Sequence, residues 1–178
     1  MKFYEALGLT PSLAVDPDDL KKRFYERSRE WHPDRFSRAT PAEQQKALDM
    51  TALLNDAFRT LRDPVKRAEY FLQENGVELS KEVPPELLEE VFELNMALEE
   101  LRGGDVSARP QLEAARDKFA AMRAEIDSGL SAVGRTSWSA PDLPVRQLEA
   151  IRSLLNRRRY ISNLLREVEK ELNVQLPN

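Results

Sequence analysis

Trp31-His32-Pro33-Asp34-Arg35 decides how this chain is read. It contains the only histidine of 178 residues. Pro33 disfavours the α region for the residue before it, so a helix is predicted to end at His32. Asp34 supplies a turn-forming carboxylate. The stretch therefore reads as a short polar loop between two helices, exposing an imidazole and a carboxylate. Pro33 is expected to keep those two side chains apart.

The flanking sequence predicts four helices. Phe3-Tyr4-Glu5-Ala6-Leu7-Gly8-Leu9 is a short one stopped by glycine. Asp16 is placed as an N-cap with Pro17 at the first helical position, and Asp18 and Asp19 suit the positive end of the helix dipole. Leu20, Phe24, Ser28 and Trp31 then mark one buried face. Thr40-Pro41-Ala42-Glu43 has the pattern of a capping box. Ala47, Thr51, Leu54, Phe58 and Leu61 form the inward stripe of the helix that follows. Asp63-Pro64 starts a last segment, Val65 to Glu74, and Gly76 ends it. The two long helices form an antiparallel hairpin with the loop at its tip.

This arrangement resembles the J domain, the part of co-chaperones that stimulates ATP hydrolysis by DnaK-type chaperones. The matching residues are Phe3 to Leu9, Phe24, His32-Pro33-Asp34-Arg35-Phe36 and Leu54-Asn55-Asp56-Ala57-Phe58-Arg59-Thr60-Leu61-Arg62-Asp63-Pro64. Arg67-Ala68-Glu69-Tyr70-Phe71-Leu72 followed by Gly76 narrows the match to the HscB family. That family joins a J domain to a helical domain holding an iron–sulfur scaffold protein. The resemblance covers nearly the whole chain and is strongest over 1–76. The chain is expected to begin directly at the J domain, without the cysteine-rich segment of some relatives.

Composition narrows the function classes. There is no cysteine, so disulfides, thiolate ligands and thiol redox chemistry are excluded, and one histidine leaves little for a zinc site. No cofactor is expected. No apolar run can span a bilayer, and the N-terminus lacks the apolar core of a signal peptide, so a cytoplasmic protein is expected. Residues 1–76 carry 13 basic and 13 acidic side chains and 77–178 carry 14 and 18, which accounts for the net charge of −4. That balance argues against general nucleic-acid or membrane binding. Arg157-Arg158-Arg159 lies inside an amphipathic helix and reads as solvated or interdomain. Arg158 interrupts the apolar stripe of that helix and is assigned to snorkelling at its edge.

The expected architecture is all-α: a J domain over 1–76, a linker over 77–84 containing Pro84, and a three-helix bundle over 85–178. The bundle helices are predicted at 85–102, 109–134 and 144–173. Leu112, Ala115, Phe119, Met122, Ile126 and Val133 form the second stripe. Ile151, Leu154, Ile161, Leu165, Val168 and Leu172 form the third.

The first bundle helix carries more apolar surface than packing needs. Leu87, Val91, Leu94, Leu98 and Leu101 form a core stripe. Leu88, Phe92 and Met96 lie ~100° to ~180° from it, beside Glu89, Glu93 and Glu100. This second strip is a partner site, or else the J domain or linker covers it. The family resemblance favours the first reading. It implies a scaffold-binding face of Leu88, Phe92, Glu93, Met96 and Glu100, with Tyr160 on the last helix as a further contact. Glu89 and Met96 depart from the family pattern, which tends to a methionine at the first position and an acid at the second.

Lys21, Lys22, Arg23, Arg27 and Arg29 crowd the helix before the loop, and Arg35 follows it. They form a solvated face paired to Glu26 and Glu30, or a basic surface that meets an acidic groove on the chaperone. The resemblance implies that these residues, with His32, Pro33 and Asp34, bind the chaperone. Glu26 departs from the more uniformly basic pattern of general-purpose J domains and suggests a specialised chaperone partner, with a dedicated HscA-type protein and a general DnaK both left open. An enzyme using His32 and Asp34 is disfavoured, because no nucleophile, phosphate loop or paired-carboxylate motif accompanies them. The expected function is a non-enzymatic co-chaperone that stimulates a DnaK- or HscA-type ATPase and delivers an IscU-type scaffold. The alternative is a J-domain adaptor for another client.

Overall fold

The structure is a computed structural model describing residues 2–80, 82–133 and 145–173, with the side chains of Val133, Val145 and Arg146 left aside. Its helices are α1 (Lys2–Ala6), α2 (Pro17–Glu30), α3 (Pro41–Arg62), α4 (Pro64–Glu74), α5 (Leu88–Arg102), α6 (Arg109–Val133) and α7 (Val145–Asn173). Short 3-10 turns occupy Pro33–Phe36, Pro85–Leu87 and Val106–Ala108. No β-strand occurs among the described residues. The fold is all-α. Lys81, the stripe side chain of Val133 and the expected helix ends at 134 and 144 lie outside the described residues. Backbone contacts divide the chain into two units, one within 1–78 and 130–149, the other within 79–129 and 150–178.

In the first unit the caps stand where the sequence places them. Asp16 accepts from the Asp18 and Asp19 amides at 2.8 and 3.0 Å. Thr40 and Glu43 close a reciprocal capping box. Asp63 ends α3 and caps α4, accepting from Val65 and Lys66. Gly8 and Gly76 adopt positive φ (64° and 73°) at the helix ends they terminate. Helix α3 is the spine, contacting α1, α2, α4 and the Pro33–Phe36 turn. Its buried residues are Ala47, Leu54, Ala57 and Leu61, while Thr51 and Phe58 are half-buried. Phe24 of α2 stacks on Phe58 with centroids 4.4 Å apart. Of the predicted α2 stripe only Leu20 is fully buried; Phe24, Ser28 and Trp31 are half-buried.

Among the described residues of this unit one cation, Arg67, is buried. Arg67 donates from Nη1 to the Leu61 carbonyl at 2.8 Å, satisfying an acceptor that the end of α3 leaves open. Burial pushes its pKa down, opposed by Tyr4 and Asp63. Burial likewise raises the Tyr4 phenol, which donates to the Ser12 carbonyl at 2.7 Å.

The second unit is a three-helix bundle in which each pair of helices is tied by an ion pair. Lys118 of α6 meets Glu90 of α5 at 3.4 Å. Arg102 of α5 meets Glu171 and Glu167 of α7 at 2.7 and 3.4 Å. Arg158 of α7 pairs with Asp127 of α6. This accounts for the Arg158 that interrupts the apolar stripe: its charge is met from the neighbouring helix. Of the neighbouring arginines, Arg159 donates to the Ser80 carbonyl, and Asn156 donates to that of Glu82 at 3.4 Å. The segment after Glu78 is thereby fastened to α7. Leu87, Leu94, Leu98, Leu112, Phe119, Ile126, Leu155, Ile161, Leu165, Val168 and Leu172 fill the core. Leu155 is buried in place of the predicted Leu154, which is half-buried.

Candidate functional site

Two exposed features match the sequence-derived candidates, and each lies within one unit. The first is the loop. Helix α2 ends at Glu30 with Trp31 as its C-cap, and Pro33–Phe36 forms a single 3-10 turn. Its N-cap is His32: Nδ1 accepts from the Asp34 amide at 3.3 Å. The same Nδ1 is 3.6 Å from an Asp34 carboxylate oxygen. The expectation that Pro33 separates the two side chains is therefore corrected. A 3-10 turn folds residue 34 back over residue 32, and the proline at the turn's first position favours that bend. Acceptance at Nδ1 leaves the proton of the neutral ring on Nε2, on the far side of the imidazole. Both side chains are open to solvent, His32 at 58% and Asp34 at 90%.

The loop's backbone is braced from both sides. Arg35 donates from Nη1 to the Arg29 carbonyl at 3.3 Å. Trp31 stacks nearly parallel to Phe36, with centroids 5.8 Å apart, and the Lys46 ammonium lies 5.6 Å above its ring.

The basic residues of α2 do not form one uniform patch. Lys21, Lys22 and Arg29 are exposed. Arg27 pairs with Glu30 at 3.0 Å, as the solvated-face reading expects. Arg23 is engaged in the fold: it donates to the Gly8 carbonyl at 2.7 Å and pairs with Asp19 at 2.8 Å. Sequence spacing cannot show that contact, because Gly8 is remote along the chain.

The second feature is the outer face of α5. Leu88, Phe92 and Met96 are 57%, 66% and 49% exposed. Leu94, Leu98 and Leu101 of the same helix are buried, as is Leu87 in the turn before it, while Val91 of the predicted stripe is half-buried. Glu89, Glu93 and Glu100 are exposed beside the strip. Glu93 also lines a groove of about 190 Å³ between α5 and α6, floored by Leu94, Ala97, Leu112 and Phe119.

Tyr160 is half-buried on α7. Its height follows from the ion pairs. Arg109 donates to the Leu172 carbonyl and Arg158 pairs with Asp127, so α6 and α7 run antiparallel. Helices α5 and α6 join through Gly103–Ala108 and are tied by Glu90–Lys118, so they too are antiparallel. Helices α5 and α7 are then parallel, pinned where Arg102 meets Glu167 and Glu171. Phe92 lies about 15 Å before that pin and Tyr160 roughly 10 to 17 Å before it. The two aromatic residues therefore stand at one level of the bundle.

Among the described residues no group of His, Cys, Asp and Glu is placed to hold a metal ion. No helix among them is long and apolar enough to cross a membrane.

Comparisons with known proteins match the two domains in which these features lie. Residues 2–70 match the family model described as the DnaJ domain, and 83–169 match the one described as the HSCB C-terminal oligomerisation domain. A co-chaperone protein HscB homolog from Shewanella baltica (strain OS155) is 37% identical over 150 residues, spanning 80% of this chain and 83% of the relative. A homolog from Vibrio vulnificus (strain YJ016) is 32% identical over 161 residues, spanning 88% and 94%. Among solved structures, chaperone HscB from Vibrio cholerae is 28% identical, covers 96% of both chains and superposes with a TM-score of 0.62. The human co-chaperone protein HscB, at 23% identity, supports the fold alone, with a TM-score of 0.67 over 98% of this chain and 84% of the human one. With a J domain followed by the HscB-type helical domain, this chain belongs to the HscB family of co-chaperones.

Proposed function

We propose that this co-chaperone stimulates the ATPase of a DnaK- or HscA-type chaperone through His32-Pro33-Asp34, and carries an IscU-type iron–sulfur scaffold on the outer face of α5. The observation that carries the second half is the exposure of Leu88, Phe92 and Met96 on a helix whose core stripe is already buried. Three large apolar side chains left in water along one face are what a partner's apolar surface covers. The exposed acids beside them bias the partner towards a basic rim. The loop half rests on two solvent-open polar groups held on a braced turn. Arg29 and Arg35 flank it, and Lys21 and Lys22 stand roughly 15 Å back along α2, which supplies positive charge for an acidic surface on the chaperone.

The test is a titration of the full chain with a purified scaffold of the IscU type, followed by chaperone ATPase assays with and without it. Saturable scaffold binding, together with a further rise in ATPase when both proteins are present, is the expected outcome. ATPase stimulation without scaffold binding would make the chain an adaptor for another client.

The oligomerisation named in the description of the second matched domain favours one further reading of the strip: burial against another copy of this chain. Sedimentation velocity separates the two. A concentration-dependent dimer lost in Phe92→Ala supports self-association, and a monomer that binds scaffold supports the delivery reading.

A further inference from the structure

Thr51 lies on the inward stripe of α3, and by spacing alone it is a packing position. The structure also uses its hydroxyl. Oγ1 is 2.8 Å from the Ala47 carbonyl and 3.1 Å from the Trp31 carbonyl. Its single proton is shared between the helix's own turn and the end of a different helix. Trp31 is the C-cap of α2, so its carbonyl is one of those a helix end leaves without an intrahelical partner. It is also the residue before His32, and its carbonyl belongs to the peptide plane that launches the loop. The Trp31 amide is held by the Arg27 carbonyl at 3.1 Å, and its ring stacks on Phe36 at the loop's far end. Trp31 therefore touches both ends of the turn, and Thr51 ties its backbone to α3.

We infer that Thr51 is a positioning residue for the His32-Pro33-Asp34 loop, fixing the Trp31–His32 peptide plane so that the turn projects in one orientation. The inference rests on the loop being the chaperone trigger. Without the hydroxyl the Trp31 carbonyl turns to water, and the observed His32 backbone (φ −61°, ψ 128°) becomes one of several accessible orientations. The chaperone then selects the competent orientation from a smaller population. The apparent affinity falls by the inverse of the competent fraction, while the response at saturation is unchanged. One neutral hydrogen bond makes that fall about 2- to 10-fold.

The experiment titrates a DnaK-type chaperone with the full chain carrying Thr51→Val, which removes the hydroxyl and keeps the branched shape. Thr51→Ser restores the hydroxyl without the methyl, and His32→Gln is run alongside. Thr51→Val is expected to raise the half-saturating concentration about 2- to 10-fold with an unchanged plateau. Amide NMR shifts should move over His32–Phe36 and not at Leu7 or Phe71. Thr51→Ser is expected to titrate like the unaltered chain. If Thr51→Val lowers the melting temperature, Thr51→Ala, which leaves room for a water, must show the same rise at a temperature where it is folded. Unchanged half-saturation in a series where His32→Gln abolishes stimulation overturns the inference. So does Thr51→Ser behaving like Thr51→Val. If His32→Gln stimulates normally, the trigger reading itself is the one that fails.

Discussion

The Pro33–Phe36 turn exposes polar groups on a short backbone held from several sides, whereas the α5 face exposes apolar side chains on an uninterrupted helix. The turn offers little area. What it offers is direction: an imidazole, a carboxylate beside it and a backbone fastened through Trp31, Arg35 and Thr51. The α5 face offers area with little directional chemistry, and its rigidity comes free from a helix packed on its other side. A surface of the first kind should fail when one group is removed. A surface of the second kind should weaken in proportion to the apolar surface taken away.

His32→Gln tests the first half and carries the largest effect. Stimulation of the chaperone ATPase is expected to vanish. Helical circular dichroism should be unchanged, since an exposed side chain has little packing to lose. Scaffold affinity should also be unaffected, because α5 lies in the other unit. Retained stimulation would reject the His32-Pro33-Asp34 loop as the chaperone trigger.

The double change Leu88→Ala, Phe92→Ala tests the second half. Scaffold affinity is expected to fall by at least about 30-fold, the scale of losing an interface anchor. The melting temperature should hardly move, because both side chains are mostly solvated. Leu98→Ala on the same helix is the control: it is buried, and its loss should cost roughly 2–5 kcal/mol of stability. A stable double variant that still binds scaffold tightly would remove the face from the mechanism.

Charge separates residues that the sequence groups together. Lys21→Glu with Lys22→Glu should slow chaperone association about 10-fold at low salt and leave stability alone. The wild-type association rate should itself fall as salt rises. Arg23→Glu should instead lower the melting temperature, by about 1 kcal/mol of stability, since it loses the Gly8 carbonyl and faces Asp19. Stopped-flow association and thermal melts distinguish the two behaviours. Equal effects from both sets would mean that Arg23 is a docking residue after all.

Local chemistry was legible in the sequence and long-range pairing was not. Asp16, Thr40-Glu43 and Asp63-Pro64 announce their caps because a cap needs particular residues within four positions. That Leu88, Phe92 and Met96 lie off the core stripe follows from helical periodicity, whereas their exposure is seen only in the structure. Arg23 on Gly8, Arg67 on Leu61 and Arg158 on Asp127 depend on which helix packs against which, and spacing cannot tell a solvated arginine from one enclosed by a neighbour. Thr51 shows the same limit: its position on the stripe is periodic, but the Trp31 carbonyl that its hydroxyl reaches belongs to another helix. The His32–Asp34 contact was missed for a different reason, because a Pro read as a spacer is in fact the first residue of a turn that brings its neighbours together.

The smallest effect concerns the seam that holds α5 upright. Hydrogen bonding from Arg102 keeps the Glu171 carboxyl below its ordinary value of 4.5. In the unfolded chain the carboxyl regains that ordinary value, so the folded form binds its proton less readily. The ion pair's contribution is therefore fully present above about pH 5 and fades as pH falls through the lowered folded pKa. Glu171→Gln removes the charge at every pH. The melting-temperature difference between the unaltered chain and Glu171→Gln should be small and positive at neutral pH and close towards zero on acidification. Scaffold binding by the α5 face should follow the same course only if Arg102–Glu171 also sets the level at which Phe92 and Tyr160 stand. A difference that stays constant down to about pH 3 would show that the carboxylate stabilises the seam by packing rather than by its charge.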